Sequence, residues 1–193
     1  MDASNKIKKG FLIATVVLLL VPALFILKGY FDGAFSSMSA SQIYIGQLGW
    51  WGPITLTLFQ ALQVVVPVLP GWLGCAVGAV VFGPVVGFIC NFIGISAGSI
   101  AAFWLTRKYG VKLVKSIIKE EKYEKYACWI SNKKSYSLTL WLMILLPFAP
   151  DDFFCFFSGL TKMSAKKFTW IIITAKPWCI LLYSIFFGVF ALN

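Results

Sequence analysis

From Trp50 to Thr106 the chain has no Asp, Glu, Lys or Arg, and a second apolar stretch follows near its C-terminal end. Over the whole chain 60% of the residues are hydrophobic and the mean hydropathy is +0.85, so polar residues are too few to cover a soluble globule. The polar–apolar alternation that a membrane β-barrel needs is missing, and the α-helix is the other way to satisfy the backbone in lipid. The sequence therefore predicts an all-α integral membrane protein.

The charged residues are clustered, although the chain has a formal net charge of +10. Most of the 17 Lys and Arg residues fall before the first apolar run, within 107–134, or within 162–167. By the positive-inside rule these three blocks are cytoplasmic. Because anionic lipid headgroups explain a basic membrane face, we expect no nucleic-acid partner.

Residues 1–49 form a separate N-terminal unit. The stretch from Phe11 to Leu27 is uncharged and spans about 25 Å as a helix, which suffices for a crossing when the flanking lysines snorkel. A signal peptide is the alternative, but no convincing Ala-x-Ala cleavage site follows. We expect a retained transmembrane helix with a cytoplasmic N-terminus, followed by an extracytoplasmic linker over 29–49, which lacks Lys and Arg.

The membrane domain, 50–193, begins with an apolar block that contains helix breakers. Pro67, Pro70 and Gly71 divide 50–82 into arms of about 20 Å, which is too short for a hydrocarbon core of about 30 Å. We predict a re-entrant helical hairpin here. A full span over 84–106 follows, and its GxxxG pairs predict close helix packing.

A similar arrangement follows a basic segment. Residues 110–130 have apolar side chains at helical spacing, which predicts an amphipathic helix lying on the cytoplasmic membrane surface. Pro147 and Pro150 divide 137–161 into arms of about 15 Å between flanking lysines, which predicts a second re-entrant hairpin, with Gly159 as a further breaker. A last span over 168–190 carries Lys176 and Pro177.

The two proline breaks define an internal repeat. Residues 64–72 align with 144–152, an offset of 80 residues that also relates the two following spans. The charge rule places the hairpins on opposite membrane faces, so we predict an inverted repeat with an extra N-terminal helix. In such transporters the broken helices meet near the midplane and bind the substrate or ion there.

These segments carry the motifs of a known family. They are Phe82-Gly83-Pro84, Gly87, Gly94, Gly98, Phe103-x-x-x-Arg107-x-x-Gly110, Leu146-Pro147-Phe148-x-Pro150 and Ser158-Gly159-Leu160-Thr161-Lys162. In this combination the chain resembles the DedA or VTT-domain superfamily, also called SNARE-associated Golgi proteins, in its Tvp-like bacterial branch. The resemblance implies two opposed re-entrant hairpins and lipid flippase or scramblase activity, with proton coupling proposed for some members. Trp72 stands where many relatives have an acidic residue, and Lys176 stands where an arginine feature is common.

The candidate substrate or ion ligands are the polar side chains in or beside apolar segments: Asp151, Asp152, Lys176, Arg107, Gln63 and Asn91. The two aspartates serve as a proton or cation site, as groups that orient a phosphate through Lys176 or Arg107, or as helix N-caps, because Asp is favoured at that position. The two residues need not share one role. Lys176 either faces a cavity or snorkels to the interface, and Arg107 is either a ligand or a helix-end anchor. Asn91 is expected to face protein.

Catalysis is disfavoured, because the chain has no His and only seven acidic residues, and the Asp151-Asp152 pair lacks the remainder of a magnesium-binding motif. We expect no enzyme activity, no cofactor and no metal site. The predicted function is movement of lipid or polyprenyl phosphate across the bacterial cytoplasmic membrane, with membrane lipids as partners and homo-oligomerisation left open. An ion- or proton-coupled solute transporter and a membrane-organising scaffold are the alternatives.

Overall fold

The structure, a computed structural model, describes residues 47–67, 71–117, 123–124, 136–146 and 151–192, together with single positions and short stretches between 9 and 33. Six helical elements lie in this part of the chain: α1 (Trp51–Val65), α2 (Gly71–Tyr109, interrupted at Gly83), α3 (Val111–Ile117), α4 (Tyr136–Leu145), α5 (Asp151–Leu160) and α6 (Ala165–Leu192). The described residues contain no strand, so the all-α prediction is confirmed. By length and composition, α2 and the 165–187 part of α6 could each cross a membrane, and within α2 the part long enough to do so is 84–109, which follows the interruption at Gly83.

The N-terminal segment is described only in part. Every described position from 9 to 31 is helical, and Leu12, Ile13 and Leu24 are exposed. The remainder of the predicted helix over 11–27 and most of the linker over 29–49 lie outside the described residues. A crossing by this segment therefore stays a prediction.

The first pair of helices runs antiparallel around Pro67. Pro67 lies in a turn after α1, where its ring cannot continue the helix, and α2 begins at Gly71. The Gln60 side chain packs on Gly74, and a Cβ on Gly52 would lie 2.8 Å from the Phe82 ring. α1 and the 71–82 segment of α2 thus form a helical hairpin. The third breaker, Pro70, lies outside the described residues.

α2 reverses at Gly83, whose φ of +79° is accessible to glycine and strained for other residues, and Pro84 follows. Beyond this point the chain folds back, because Gly87 packs on the Gly78 carbonyl and Asn91 Nδ2 donates to the Cys75 carbonyl at 3.4 Å. The 84–109 segment is therefore antiparallel to 71–82.

Glycines allow the 84–109 segment to approach α1 closely. A Cβ on Gly94 would collide with the Thr57 carbonyl, and one on Gly98 would lie 2.5 Å from the Ala61 carbonyl oxygen. The close packing predicted from the GxxxG pairs is confirmed at these two positions.

The second half has a corresponding helix pair. α4 and α5 run antiparallel, and the Tyr136 hydroxyl lies 2.8 Å from Ser158 Oγ. Pro147 and Pro150, the predicted breakers, lie outside the described residues. The prediction for Gly159 is wrong: it lies inside α5 and breaks no helix, and a Cβ there would be 2.5 Å from the Phe103 carbonyl oxygen. Its role is close packing on α2.

α6 runs antiparallel to the 84–109 segment. The rings of Phe103 and Phe168 stack with centroids 4.4 Å apart, and Ile95 packs with Ile180 further along the two helices. Large apolar side chains such as Val85, Trp178 and Leu182 cover the outside of these helices, as expected for a surface in contact with lipid. The inverted relation of the two halves stays a prediction.

The segment after α2 is described only in part. Gly110, with a φ of +67°, separates α2 from the short helix α3, and of the remainder of 110–130 only 123–124 are described. Val114 is fully buried against Phe156 and Phe157 of α5. Its apolar side chain therefore contacts protein, whereas we had predicted contact with the membrane surface.

Candidate functional site

The most unusual side chain of the membrane domain is Lys176, which lies about 17 Å into α6. It is only 3% exposed, and its ammonium lies 2.9 Å from Asp151 Oδ2 and 3.1 Å from Asp152 Oδ1. Of the two predicted alternatives for Lys176, snorkelling to the interface is therefore wrong. We refer to Lys176, Asp151 and Asp152 as the charge cluster.

The two carboxylates of the charge cluster belong to the first turn of α5. Unpaired backbone N–H groups and the helix dipole favour negative charge at this end of a helix. The aspartates lie within the helix instead of preceding it as an N-cap, and both bind the lysine of another helix. When all three groups are ionised, the cluster has one negative charge in excess.

The tip of the first hairpin meets the charge cluster at Gly71. A Cβ on this residue would lie 3.7 Å from Gln63 Nε2 and 3.8 Å from Asp152 Oδ2, so the glycine is flanked by polar atoms from both halves. Gln63 is fully buried, and neither its Oε1 nor its Nε2 has a hydrogen-bond partner among the described residues. An unpaired buried amide is costly, so this position suits a polar ligand or an ordered water.

A second polar network lies one helical turn from Gly71. Gln60 Nε2 donates to Asn91 Oδ1 at 2.8 Å, and Gln60 Oε1 is buried without a partner among the described residues. Asn91 faces protein, as expected, but its side-chain contacts are in this network and not in the charge cluster. Sequence reasoning missed Gln60, although it lies on the same helix face as Gln63, three residues away.

Arg107 is placed at the opposite end of α5. Its Nε donates to the Gly159 carbonyl at 2.9 Å, and its guanidinium lies 4.6 Å from the centre of the Phe103 ring. Its Nη2 donates to the carbonyls of Thr161 at 2.9 Å and Met163 at 2.8 Å. These carbonyls lie at the end of α5 and in the connection to α6. The observed contacts are therefore those of a helix-end anchor, one of the two predicted roles of Arg107.

The structure thus brings together four of the predicted ligands and one of the predicted helix breakers. They are Asp151, Asp152, Lys176, Gln63 and Gly71. Arg107 is separated from the charge cluster by the length of α5, about 14 Å. No group of three or more His, Cys, Asp or Glu side chains that could hold a metal ion occurs in the described part of the chain.

These features define a class: a helical membrane protein in which interrupted helices meet at a buried lysine and its two half-buried carboxylate partners. Residues 69–188 match the VTT domain, which is more than half of the chain, so the protein belongs to the VTT-domain (DedA) family. α1 and its Gln63 precede the matched region.

A curated relative supports the same assignment. The membrane protein YhjE of Bacillus subtilis (strain 168) is 27% identical over 119 residues, which cover 61% of this chain and 56% of YhjE. The aligned region thus spans little more than half of that relative. No solved structure matches the chain.

Proposed function

We propose that this protein moves lipids with phosphate-bearing headgroups, either anionic phospholipids or polyprenyl phosphate, across the bacterial cytoplasmic membrane. The chain would cross this membrane several times, with a cytoplasmic N-terminus. The observation that carries the proposal is the buried Lys176, whose ion-pair partners are the side chains of Asp151 and Asp152. A lysine ammonium binds phosphate oxygens as readily as carboxylates, so a headgroup can replace an aspartate as its partner.

The depth of the cluster supports a role in transport. A charged side chain at the centre of a membrane helix costs about 3 kcal/mol on insertion scales, and well-packed neutral residues often replace a buried ion pair without loss of stability. Ionisable side chains inside a membrane commonly mark substrate or ion pathways. A buried Lys176 beside two aspartates is therefore expected of a protein that uses their charges.

The charges also determine how a lipid phosphate would replace a carboxylate beside Lys176. Two carboxylates and a phosphate around one ammonium would repel one another, so entry of a phosphate requires a carboxylate to be protonated or to move away. Gln63 Nε2, unpaired among the described residues and close to Gly71, is a neutral donor for a phosphate oxygen. In this scheme the lipid tails stay in the bilayer while the headgroup passes the two hairpin tips.

An ion- or proton-coupled solute transporter is the second candidate. The excess carboxylate of the charge cluster and Gln63 Oε1, which has no partner among the described residues, both favour a cation over an anion. This function predicts uptake of a solute driven by an ion gradient, without movement of fluorescent lipid. A membrane-organising scaffold predicts neither activity.

Reconstitution into liposomes tests the proposal. Fluorescent phospholipid on the inner leaflet becomes accessible to an external quencher only when the protein moves it outward. We expect Lys176→Met to reduce this rate at least ten-fold. Lys167→Met, which removes an exposed lysine of the same helix, should keep the wild-type rate. Equal rates for the two variants would contradict the assignment of Lys176.

A charge-free variant separates loss of function from loss of fold. In Asp151→Asn/Asp152→Asn/Lys176→Met the ionised groups are replaced by neutral ones of similar volume, so we expect a thermal unfolding temperature close to that of the wild type. Lipid movement should be abolished in this folded protein. Lipid movement at the wild-type rate would show that the charges are dispensable and would overturn the proposal.

A further inference from the structure

An open groove lies on the outside of the helix pair formed by α2 and α6, far from the charge cluster. Its volume is about 340 Å³, and it is lined by Trp104, Ala165, Lys166, Thr169, Trp170 and Ile173. We call it the interfacial groove. Directly behind it, the stacked rings of Phe103 and Phe168 hold the two helices together, so its walls are fixed by buried packing.

The groove changes from charged to apolar along its length. Lys166 is in the first turn of α6, Thr169 and Trp170 follow one turn later, and Ile173 is about 10 Å from Lys166 along the helix. Trp170 is 69% exposed and Trp104, on the facing helix, is 55% exposed. Tryptophans with an apolar side below and a charge above are typical of the membrane–water boundary.

The groove is positively charged, and its lysine is exposed to a ligand. Among the described residues no Asp or Glu lines it, and Lys166 is exposed. The nearby Arg107 binds the backbone carbonyls of Gly159, Thr161 and Met163. Lys166 is thus the cation that the groove offers to a ligand, and its neighbours Lys162 and Lys167 place this end on the side predicted to be cytoplasmic, where anionic lipids are enriched.

We infer that the interfacial groove holds one anionic phospholipid. Its phosphate contacts the Lys166 ammonium and the Thr169 hydroxyl, and the upper part of an acyl chain lies between Trp104 and Trp170 toward Ile173. Charge complementarity selects this occupant, because an anionic headgroup above an apolar chain matches the gradient of the groove. Lys166 is ten residues, or about 15 Å, from Lys176 along α6, so this lipid is bound outside the proposed translocation path.

Native mass spectrometry of the detergent-purified protein tests the inference. Phosphatidylglycerol is titrated in, with phosphatidylcholine as the neutral comparison. We expect Lys166→Gln to weaken phosphatidylglycerol binding about five-fold, as for loss of one lysine contact to an anionic lipid. The matched control Lys167→Gln removes the adjacent exposed lysine, which does not line the groove, and should change binding less than two-fold.

The remaining outcomes also decide the matter. Trp170→Ala should weaken binding of both lipids, because the tryptophan contacts the acyl chain. Equal losses for Lys166→Gln and Lys167→Gln would indicate diffuse attraction, and equal binding of the two lipids would remove the role of charge. Displacement of the lipid by inorganic phosphate would overturn the inference. So would mass spectra in which the groove is covered by a second copy of the chain and the monomer binds no lipid. Because this experiment measures bound lipid and not lipid movement, its result does not depend on whether the translocation proposal is correct.

Discussion

Helix α5 is held by a cation at each of its ends, and the two attachments differ in chemistry. At its C-terminal end Arg107 donates to backbone carbonyls, which belong to the chain itself. At its N-terminal end the Lys176 ammonium binds the carboxylates of Asp151 and Asp152. A carbonyl oxygen keeps its charge state at any physiological pH, whereas a carboxylate can take up a proton or turn away.

The comparison separates a fixed anchor from an exchangeable one. Arg107 spreads its donors over three backbone carbonyls at the end of α5 and in the following connection, and these acceptors cannot leave their positions while the backbone stays folded. Lys176 could exchange a carboxylate for another anion while the backbone stays in place. Two cations that look equivalent in the sequence therefore have different expected roles, structural for Arg107 and functional for Lys176.

The largest loss of stability is expected at the N-terminal end of α5, where Lys176 binds the two carboxylates. Lys176→Met leaves the two half-buried carboxylates without their cation, which should cost about 3–4 kcal/mol of stability, toward the lower end of what breaking a buried pair costs. Thermal unfolding in detergent measures the loss. Adding Asp151→Asn and Asp152→Asn to this variant should restore most of it. A Lys176→Met protein as stable as the wild type would mean that the carboxylates do not depend on the lysine.

A smaller loss of stability is expected at the C-terminal end of α5, where Arg107 binds backbone carbonyls. Arg107→Met removes hydrogen bonds to carbonyls that are only partly buried, so we expect a cost of about 2–3 kcal/mol, measured in the same way. Arg107→Lys should recover less than half, because an ammonium cannot reproduce the planar fork of a guanidinium.

Lys108→Met is the matched control for Arg107→Met. Lys108 is the next residue and lies 5.5 Å from the centre of the Tyr109 ring, an exposed contact whose loss should cost at most about 0.5 kcal/mol. If both variants lost the same stability, the carbonyl contacts of Arg107 would not anchor α5.

The smallest effect on stability concerns the packing of α5 on α2 beside the Arg107 attachment. Gly159→Ala places a methyl group 2.5 Å from the Phe103 carbonyl oxygen, and the resulting shift of α5 should cost about 1–2 kcal/mol. Gly10→Ala is the control, because nothing lies within 4 Å of a Cβ there and alanine favours the helix. Unfolding temperatures of the two variants should therefore move in opposite directions, and a stabilised Gly159→Ala would contradict the close packing.

Much of the helix layout could be predicted because its signals are local. Pro67 follows the end of α1 because its ring cannot continue a helix, and α2 begins at Gly71. The paired small residues Gly94 and Gly98 indicate that two helices approach each other closely. The same local signal failed at Gly159, because sequence alone does not distinguish a glycine that breaks a helix from one that lets two helices touch.

The site was predicted as a set of residues but not as an arrangement. Ionisable groups in apolar segments identified Asp151, Asp152 and Lys176, because such groups are rare in lipid. Their pairing joins α5 to α6 and depends on the packing of both helices on α2, for which the sequence contains no local signal. For the same reason Val114 was assigned to the membrane surface, although it packs on α5.

The charge cluster has an electrical consequence. Its three ionisable side chains all come from the second half of the membrane domain, while the first hairpin contributes the neutral Gln63 and Gly71. A membrane potential does work on charge, about 2.3 kcal/mol for one elementary charge moved across 100 mV, and it does none on neutral amides. Voltage therefore acts on the two halves unequally, and any exchange of the partner of Lys176 changes the charge on which it acts.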